Sequence, residues 1–211
     1  MDKVKEEWNE IYTNQKHKIN EIKYDDWLDL FIDDINRCDT PIIDLGCGGG
    51  NDTKYLTEKG KIVIPCDYSE KAIENIKNNF HEIERVECFD MTKVFPFTDS
   101  FTGIIIADLS LHYFSEDTTY RVLENIKRIL KTEGLLIFRV NSINDINHGA
   151  GEGLEIETHF YQTEDGRTKR FFDESDIKRI FGNWDILYMR EDTMFRYKYP
   201  KALWICAVKK R

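Results

Sequence analysis

The stretch Pro41-Ile42-Ile43-Asp44-Leu45-Gly46-Cys47-Gly48-Gly49-Gly50-Asn51-Asp52 runs from an apolar segment through an aspartate into a glycine-rich turn, and then into a segment that reads as helix. This is the pattern of a strand ending in a tight loop where a ligand touches bare backbone, because glycine has no side chain to hold it off. A second acid, Asp67, closes the next apolar run about 20 residues on, the usual place for a group that binds a ribose diol. Together they imply a nucleoside-containing cofactor.

Outward from this loop the chain alternates. Residues 41–45 read as strand, 51–59 as helix closed by Gly60, and 61–65 as strand. Ser69 opens a helix carrying Ala72, Ile73, Ile76 and Phe80, and 84–89 read as a third strand. Residues 101–107 are a continuous apolar run, as in a strand covered on both faces. A helix striped with Val122, Leu123, Ile126, Ile129 and Leu130 is expected to end at Gly134, before a fifth strand at 135–140. Five strands with intervening helices predict an α/β, doubly wound, mainly parallel sheet. Two further strands at 184–191 and 202–208 form an antiparallel C-terminal hairpin, giving seven in all. The chain reads as one domain over 1–211. It has a helical cap at 1–37 (with an amphipathic helix at 24–37 and a shorter one around Trp8, Ile11 and Tyr12) and a cofactor-binding core at 38–140. A polar insert at 141–172 acts as a lid, and 173–211 holds a short helix and the hairpin.

Composition narrows the class. The net charge is −9, with basic residues scattered apart from Lys209-Lys210-Arg211. This argues against a nucleic-acid partner, which needs cations to neutralise phosphates. No apolar run has the roughly 20 residues of a membrane span, and Met1–Glu7 is too charged for a signal peptide, so a cytoplasmic location is expected. Five cysteines, none spaced as Cys-x-x-Cys, predict neither a disulfide framework nor a metal site. Oligomeric state is left open.

Four carboxylates decide among cofactors. Asp44, Asp67, Asp90 and Asp108 each follow a predicted strand, so all four are expected to face the crevice beyond the strand ends. Such a crevice repels a pyrophosphate and attracts a cation bearing a ribose and an amine, as in S-adenosylmethionine. The dinucleotide fingerprint also lacks its third glycine, since position 51 is Asn, which disfavours a nicotinamide-dependent oxidoreductase. With these motifs in place, the chain resembles the class I S-adenosylmethionine-dependent methyltransferases, most like small stand-alone bacterial members. The resemblance covers residues 38–140 and, in outline, the hairpin.

That resemblance implies a Rossmann-like methyltransferase fold and a set of cofactor contacts. Asp44, Gly46, Cys47 and Gly48 match the first motif, Asp67 and Tyr68 the ribose end, and Asp90 and Met91 the adenine end. Asp108 and Leu109 match the motif after the fourth strand, which also carries the candidate base His112 and a pocket wall at Tyr113. No Asn-Pro-Pro-Tyr, Asp-Pro-Pro-Tyr or Pro-Cys motif occurs. A small-molecule acceptor, methylated on O, N or S, is therefore expected. The alternatives are a protein or RNA acceptor, or a protein that binds the cofactor without catalysis. His148 and His159 of the insert are further candidates for substrate contact, and Trp8 and Tyr12 for closing over the acceptor. The aromatic segment 194–200 is a dimer contact or part of the pocket.

Overall fold

The computed structural model describes residues 3–14 and 19–211. Most of the polar stretch between Asn14 and Lys18 lies outside the described residues. In chain order the elements begin with α1 (Lys3–Asn14), α2 (Ile32–Arg37), β1 (Ile42–Leu45), α3 (Asn51–Glu58), β2 (Val63–Asp67) and α4 (Glu70–Asn79). They continue with β3 (Glu87–Cys88), β4 (Thr102–Asp108), α5 (Glu116–Ile129) and β5 (Leu130–Asn141). The C-terminal part has β6 (Leu154–Glu157), β7 (Phe160–Gln162), β8 (Thr168–Arg170), α6 (Glu174–Ile180), β9 (Trp184–Met194) and β10 (Lys201–Lys210).

Seven strands form one sheet in the order β3-β2-β1-β4-β5-β10-β9. The first five pair in parallel, while β10 runs antiparallel to both β5 and β9. Alternate side chains of a strand point to opposite faces, and the core divides accordingly. Ile43, Ile105, Leu136 and Phe138 join Val122, Leu123 and Ile126 of α5 on one face. Ile42, Ile104, Ile106 and Ile137 join Trp27, Leu28, Phe31 and Leu56 on the other. The parallel part of the sheet thus follows from strands that are apolar on both sides, while the edge strand β9 is partly or fully exposed along most of its length.

Local differences from the sequence reading have physical causes. The helix expected at 24–37 is a 3-10 turn, Asp26–Phe31, followed by α2. Tertiary bonds shape this segment: Trp27 Nε1 donates to Asp52 at 3.0 Å and Tyr55 Oη donates to Asp29 at 2.5 Å. The third strand shrinks to Glu87–Cys88, because Arg85 turns aside to Glu87 and to the Pro96 carbonyl. Gly134 does not end a helix. α5 stops at Ile129, and β5 begins at once, with a register shift opposite Thr102–Ile104 and Glu133 at φ 63°.

The insert at 141–172 contains a three-stranded antiparallel sheet, β6-β7-β8. It is riveted by Arg170, fully buried, whose guanidinium pairs with Glu157 and donates to the Thr158 carbonyl at 3.1 Å. α6 opens with a capping box, Asp173 and Asp176 each bonding the other's backbone N–H.

Ile126 is wholly buried in the stripe that seats α5 on the sheet. Ile126→Ala is expected to lower the unfolding free energy by about 2–5 kcal/mol without changing the denaturant slope, measured by urea titration.

Candidate functional site

The glycine loop sits at the carboxyl end of β1. Gly46 and Cys47 both donate their N–H to the Cys66 carbonyl at the end of β2, at 2.7 and 2.9 Å. Gly46 has φ 80°, and a Cβ there would run into Ser110, whose Oγ donates to the Leu45 carbonyl at 2.7 Å. Ser110 thus locks the turn after β4 against the end of β1, and only glycine fits between them. Gly48 has φ 49°, and a Cβ on it would lie 2.5 Å from the Tyr12 hydroxyl.

α1 carries that tyrosine over the loop. Its Asn9 Oδ1 accepts from Ser69 Oγ at 2.7 Å, and Asn75 Nδ2 donates to the Tyr12 carbonyl at 2.9 Å. Trp8 stacks on Tyr12 at 6.0 Å and meets Tyr113 edge-on at 5.4 Å. Burial, then the charge of Asp67, raises the Tyr12 pKa well above the usual phenol value. The hydroxyl therefore keeps its proton and can donate.

Asp67 anchors the second side of the crevice. Its Oδ2 accepts from Gly48 N at 2.9 Å and its Oδ1 from Ser69 N at 2.8 Å. Burial raises its pKa, opposed by these backbone N–H groups. Each oxygen keeps lone-pair capacity for a further donor, as two vicinal hydroxyls would require. Asp44 is buried and accepts from Thr53 Oγ1 at 2.5 Å. Burial, with added repulsion from Asp108 and Asp67, pushes its pKa up to about 7.

The four acids are not equivalent. Asp90 is folded into its own turn, where one oxygen accepts from both the N–H and the hydroxyl of Thr92. Asp108 is neutralised. Arg139 grips it through two bonds at 2.7 and 2.8 Å, and Arg196 Nη2 adds a third at 2.9 Å. Burial opposes its charge, but the two guanidiniums outweigh this and hold its pKa below the usual carboxylate range. Arg139 also binds Asp25 at 2.5 and 3.1 Å. The crevice is therefore less acidic than four free carboxylates would make it. Among the remaining expected contacts, the Met91 methyl approaches Gly46, Tyr68 lies under Lys5, Leu109 packs toward the Trp27 side and Cys47 is buried in the loop.

Beyond Asp108 the crevice changes character. His112 is buried beside Tyr113, with ring centroids 4.3 Å apart, and its Nδ1 has no hydrogen-bond partner among the described residues. Burial, with Lys201 and Lys169 nearby, lowers its pKa well below the ordinary value, so the imidazole is neutral. Lys201 pairs with buried Asp145 at 2.6 Å. The insert histidines are held by acids, His148 by Asp145 at 2.9 Å and His159 by Asp176 at 2.7 Å. The β9–β10 loop alternates Phe195-Arg196-Tyr197-Lys198-Tyr199, and its three aromatics are exposed by 76%, 45% and 55%. Arg196 ties this loop to Asp108, so segment 194–200 borders the crevice.

Sequence reading missed Arg139 and Asp25, and reached Arg196 only as part of segment 194–200. Arg139 did leave a signal: an arginine inside Leu-Leu-Ile-Phe-Arg-Val, a strand otherwise apolar on both faces, demands a buried partner.

Residues 43–138 match a family model described as a methyltransferase domain. The chain is 32% identical to the Drosophila melanogaster tRNA N(3)-methylcytidine methyltransferase Mettl2, over 65% of this chain and 46% of that protein. It is 25% identical to the Xenopus tropicalis tRNA N(3)-cytidine methyltransferase METTL2, over 66% of this chain and 45% of the other. The chain spans about half the length of these curated relatives. A Methanosarcina mazei protein described as a SAM-dependent methyltransferase superposes with a TM-score of 0.72 at 16% identity, covering 85% of this chain and 96% of that one. This last likeness carries the fold. The tRNA-methylating relatives overturn the expectation of a small-molecule acceptor with nucleic acid disfavoured. A net charge of −9 sums the whole surface and says nothing of how charge is distributed over it. Among the described residues no helix is long and apolar enough to cross a membrane.

Two variants test the electrostatics. Arg139→Met leaves buried Asp108 with Arg196 alone, and is expected to cost about 3 kcal/mol or more by urea unfolding. Asp44 has a folded pKa above its unfolded value, so its contribution is intact below about pH 4 and is lost as pH rises through 7. Asp44→Asn is therefore expected to be more stable than wild type at pH 8, by about 2–4 kcal/mol, with the gain vanishing near pH 4. Thermal unfolding across pH measures this.

Proposed function

We propose that this chain, which belongs to the class I S-adenosylmethionine-dependent methyltransferases, methylates a nitrogen of a nucleobase in RNA. The observation that carries the acceptor is the β9–β10 loop at the mouth of the crevice, where the exposed aromatics Phe195, Tyr197 and Tyr199 flank exposed Lys198 while Arg196 ties the loop to Asp108. Aromatic faces stack on unpaired bases and cations hold the backbone between them, the combination by which single-stranded nucleic acid is bound. The tRNA-methylating relatives support the same reading.

The site fits the cofactor. Gly46 and Gly48 leave bare backbone for its amino-acid end, Asp67 offers acceptors to its ribose, and Asp44 supplies charge for its cationic portion. Tyr68, Asp90 and Met91 form the adenine side. When bound, S-adenosylmethionine supplies an electrophilic methyl group on a sulfonium. The chain's own residues align and exclude water. Tyr12 and Trp8 on α1 cover the loop, and the Asp108–Arg139–Arg196 cluster separates the cofactor end from the acceptor end. His112, held neutral, contacts the acceptor. A base whose reacting nitrogen has an in-plane lone pair needs no proton removed beforehand, so the imidazole there acts as a hydrogen-bonding wall. An acceptor that must lose a proton would instead use it as a base.

The test follows methyl-labelled S-adenosylmethionine into mixed cellular RNA, which is then digested to nucleosides. Label in a methylated nucleoside is expected. Asp67→Ala should abolish transfer and weaken S-adenosylhomocysteine binding at least 100-fold by calorimetry. Tyr197→Ala should weaken RNA binding about tenfold at unchanged S-adenosylhomocysteine affinity. Label absent from RNA while the adenosyl compound binds would refute the acceptor. Failure of the adenosyl compound to bind would refute the site.

A further inference from the structure

Asn141 stands at the end of β5, fully buried, and its Oδ1 has no hydrogen-bond partner among the described residues. The orientation of the amide is fixed by its other atom. Nδ2 donates to the Arg170 carbonyl at 3.4 Å, and a flipped amide would set two oxygens against each other. The free atom is thus an acceptor only. The same Arg170 donates its N–H to the His112 carbonyl at 2.7 Å. One backbone unit therefore holds Asn141 and His112 on its two sides, and each presents an unpartnered buried polar atom.

The support behind them is stiff. The Arg170 side chain is locked to Glu157, to the Thr158 carbonyl and to the Phe114 carbonyl. The Asn141 carbonyl accepts from Phe172 N at 2.8 Å, and the residue is paired with Leu203 in the sheet. An unsatisfied buried acceptor costs roughly 1–3 kcal/mol, and neither neighbouring lysine relieves it. Lys201 is committed to Asp145, and Lys169 donates to the His148 carbonyl at 3.3 Å. A rigid, buried acceptor held to the same residue as His112 favours a ligand that brings an N–H.

We propose that Asn141 determines specificity: its Oδ1 accepts a hydrogen bond from the exocyclic amine of the base to be methylated, so that the site takes an aminopyrimidine and rejects the carbonyl analogue. This rests on the RNA reading above. Uracil would place a carbonyl oxygen against Oδ1, and a pyrimidinone without the amine would leave Oδ1 unpaired. His112 Nδ1 is the adjoining polar contact.

The test uses RNA stem-loops whose loop carries a single pyrimidine: cytidine, uridine or 4-deoxycytidine. Binding is read by fluorescence anisotropy with S-adenosylhomocysteine present, and turnover is read in parallel. Wild type is expected to prefer cytidine over both others by about 10- to 100-fold. In Asn141→Ala the preference should fall to within about threefold, with S-adenosylhomocysteine affinity kept within about twofold. Retained S-adenosylhomocysteine affinity and an unchanged far-UV circular dichroism spectrum guard against a variant that fails to fold. Equal use of cytidine and 4-deoxycytidine by wild type would overturn the assignment, as would an undiminished preference in Asn141→Ala. Both results would leave the RNA reading standing. Failure to bind or methylate any of the RNAs while S-adenosylhomocysteine binds would overturn the RNA reading and this assignment together.

Discussion

Arg139 puts a permanent charge inside an otherwise apolar strand, and the surroundings are organised to pair it. Its guanidinium takes Asp108 from the end of β4 and Asp25 from the segment before α2, while Arg196 from the β9–β10 loop completes the cluster. Removing two charges from water costs several kcal/mol, and only tight, multiply bonded geometry recovers it. The elements that supply the partners are therefore held in register with the sheet. In the proposed site the cluster divides the crevice into two halves. On one side lie the glycine loop, Asp44 and Asp67. On the other lie His112, Asn141, Lys169 and Lys201.

The two halves differ in what they lack. On the cofactor side, acids are buried with few cations, so Asp44 is driven toward neutrality and a cationic ligand would relieve the strain. On the far side, cations and neutral polar groups are buried or half-buried, and two atoms, His112 Nδ1 and Asn141 Oδ1, have no partner among the described residues. A site whose polar groups wait for partners is poised to discriminate, because a ligand that cannot supply them leaves the cost in place.

Much of this was legible in the sequence. The strand–glycine turn–helix unit at 41–58 and the acid at 67 appear where spacing put them, because bare backbone at Gly46 and Gly48 is a local requirement. The continuous apolar run at β4 likewise announced a strand buried on both faces. Charges were harder to place. Reading Asp108 as a free acid failed because its partners come from residues 31 and 88 positions away in sequence, and only the sheet order brings them together. The single helix read at 24–37 is split for a similar reason: the apolar periodicity holds, but hydrogen bonds to Asp52 and Tyr55 wind its first half into a 3-10 turn before α2. Net charge disfavoured a nucleic-acid partner only because it sums the whole surface, whereas the tRNA-methylating relatives point the other way.

The central claim is that the glycine loop and Asp67 form one half of a divided crevice, with Arg139 and Asp108 as the partition. The most direct measurement is a crystal structure of the protein with S-adenosylhomocysteine. The account predicts the ribose hydroxyls on Asp67, the amino-acid end against Gly46–Gly48 beneath Tyr12, and the ion cluster unbroken. A ligand seated elsewhere, or bound with Asp67 unengaged, would contradict it.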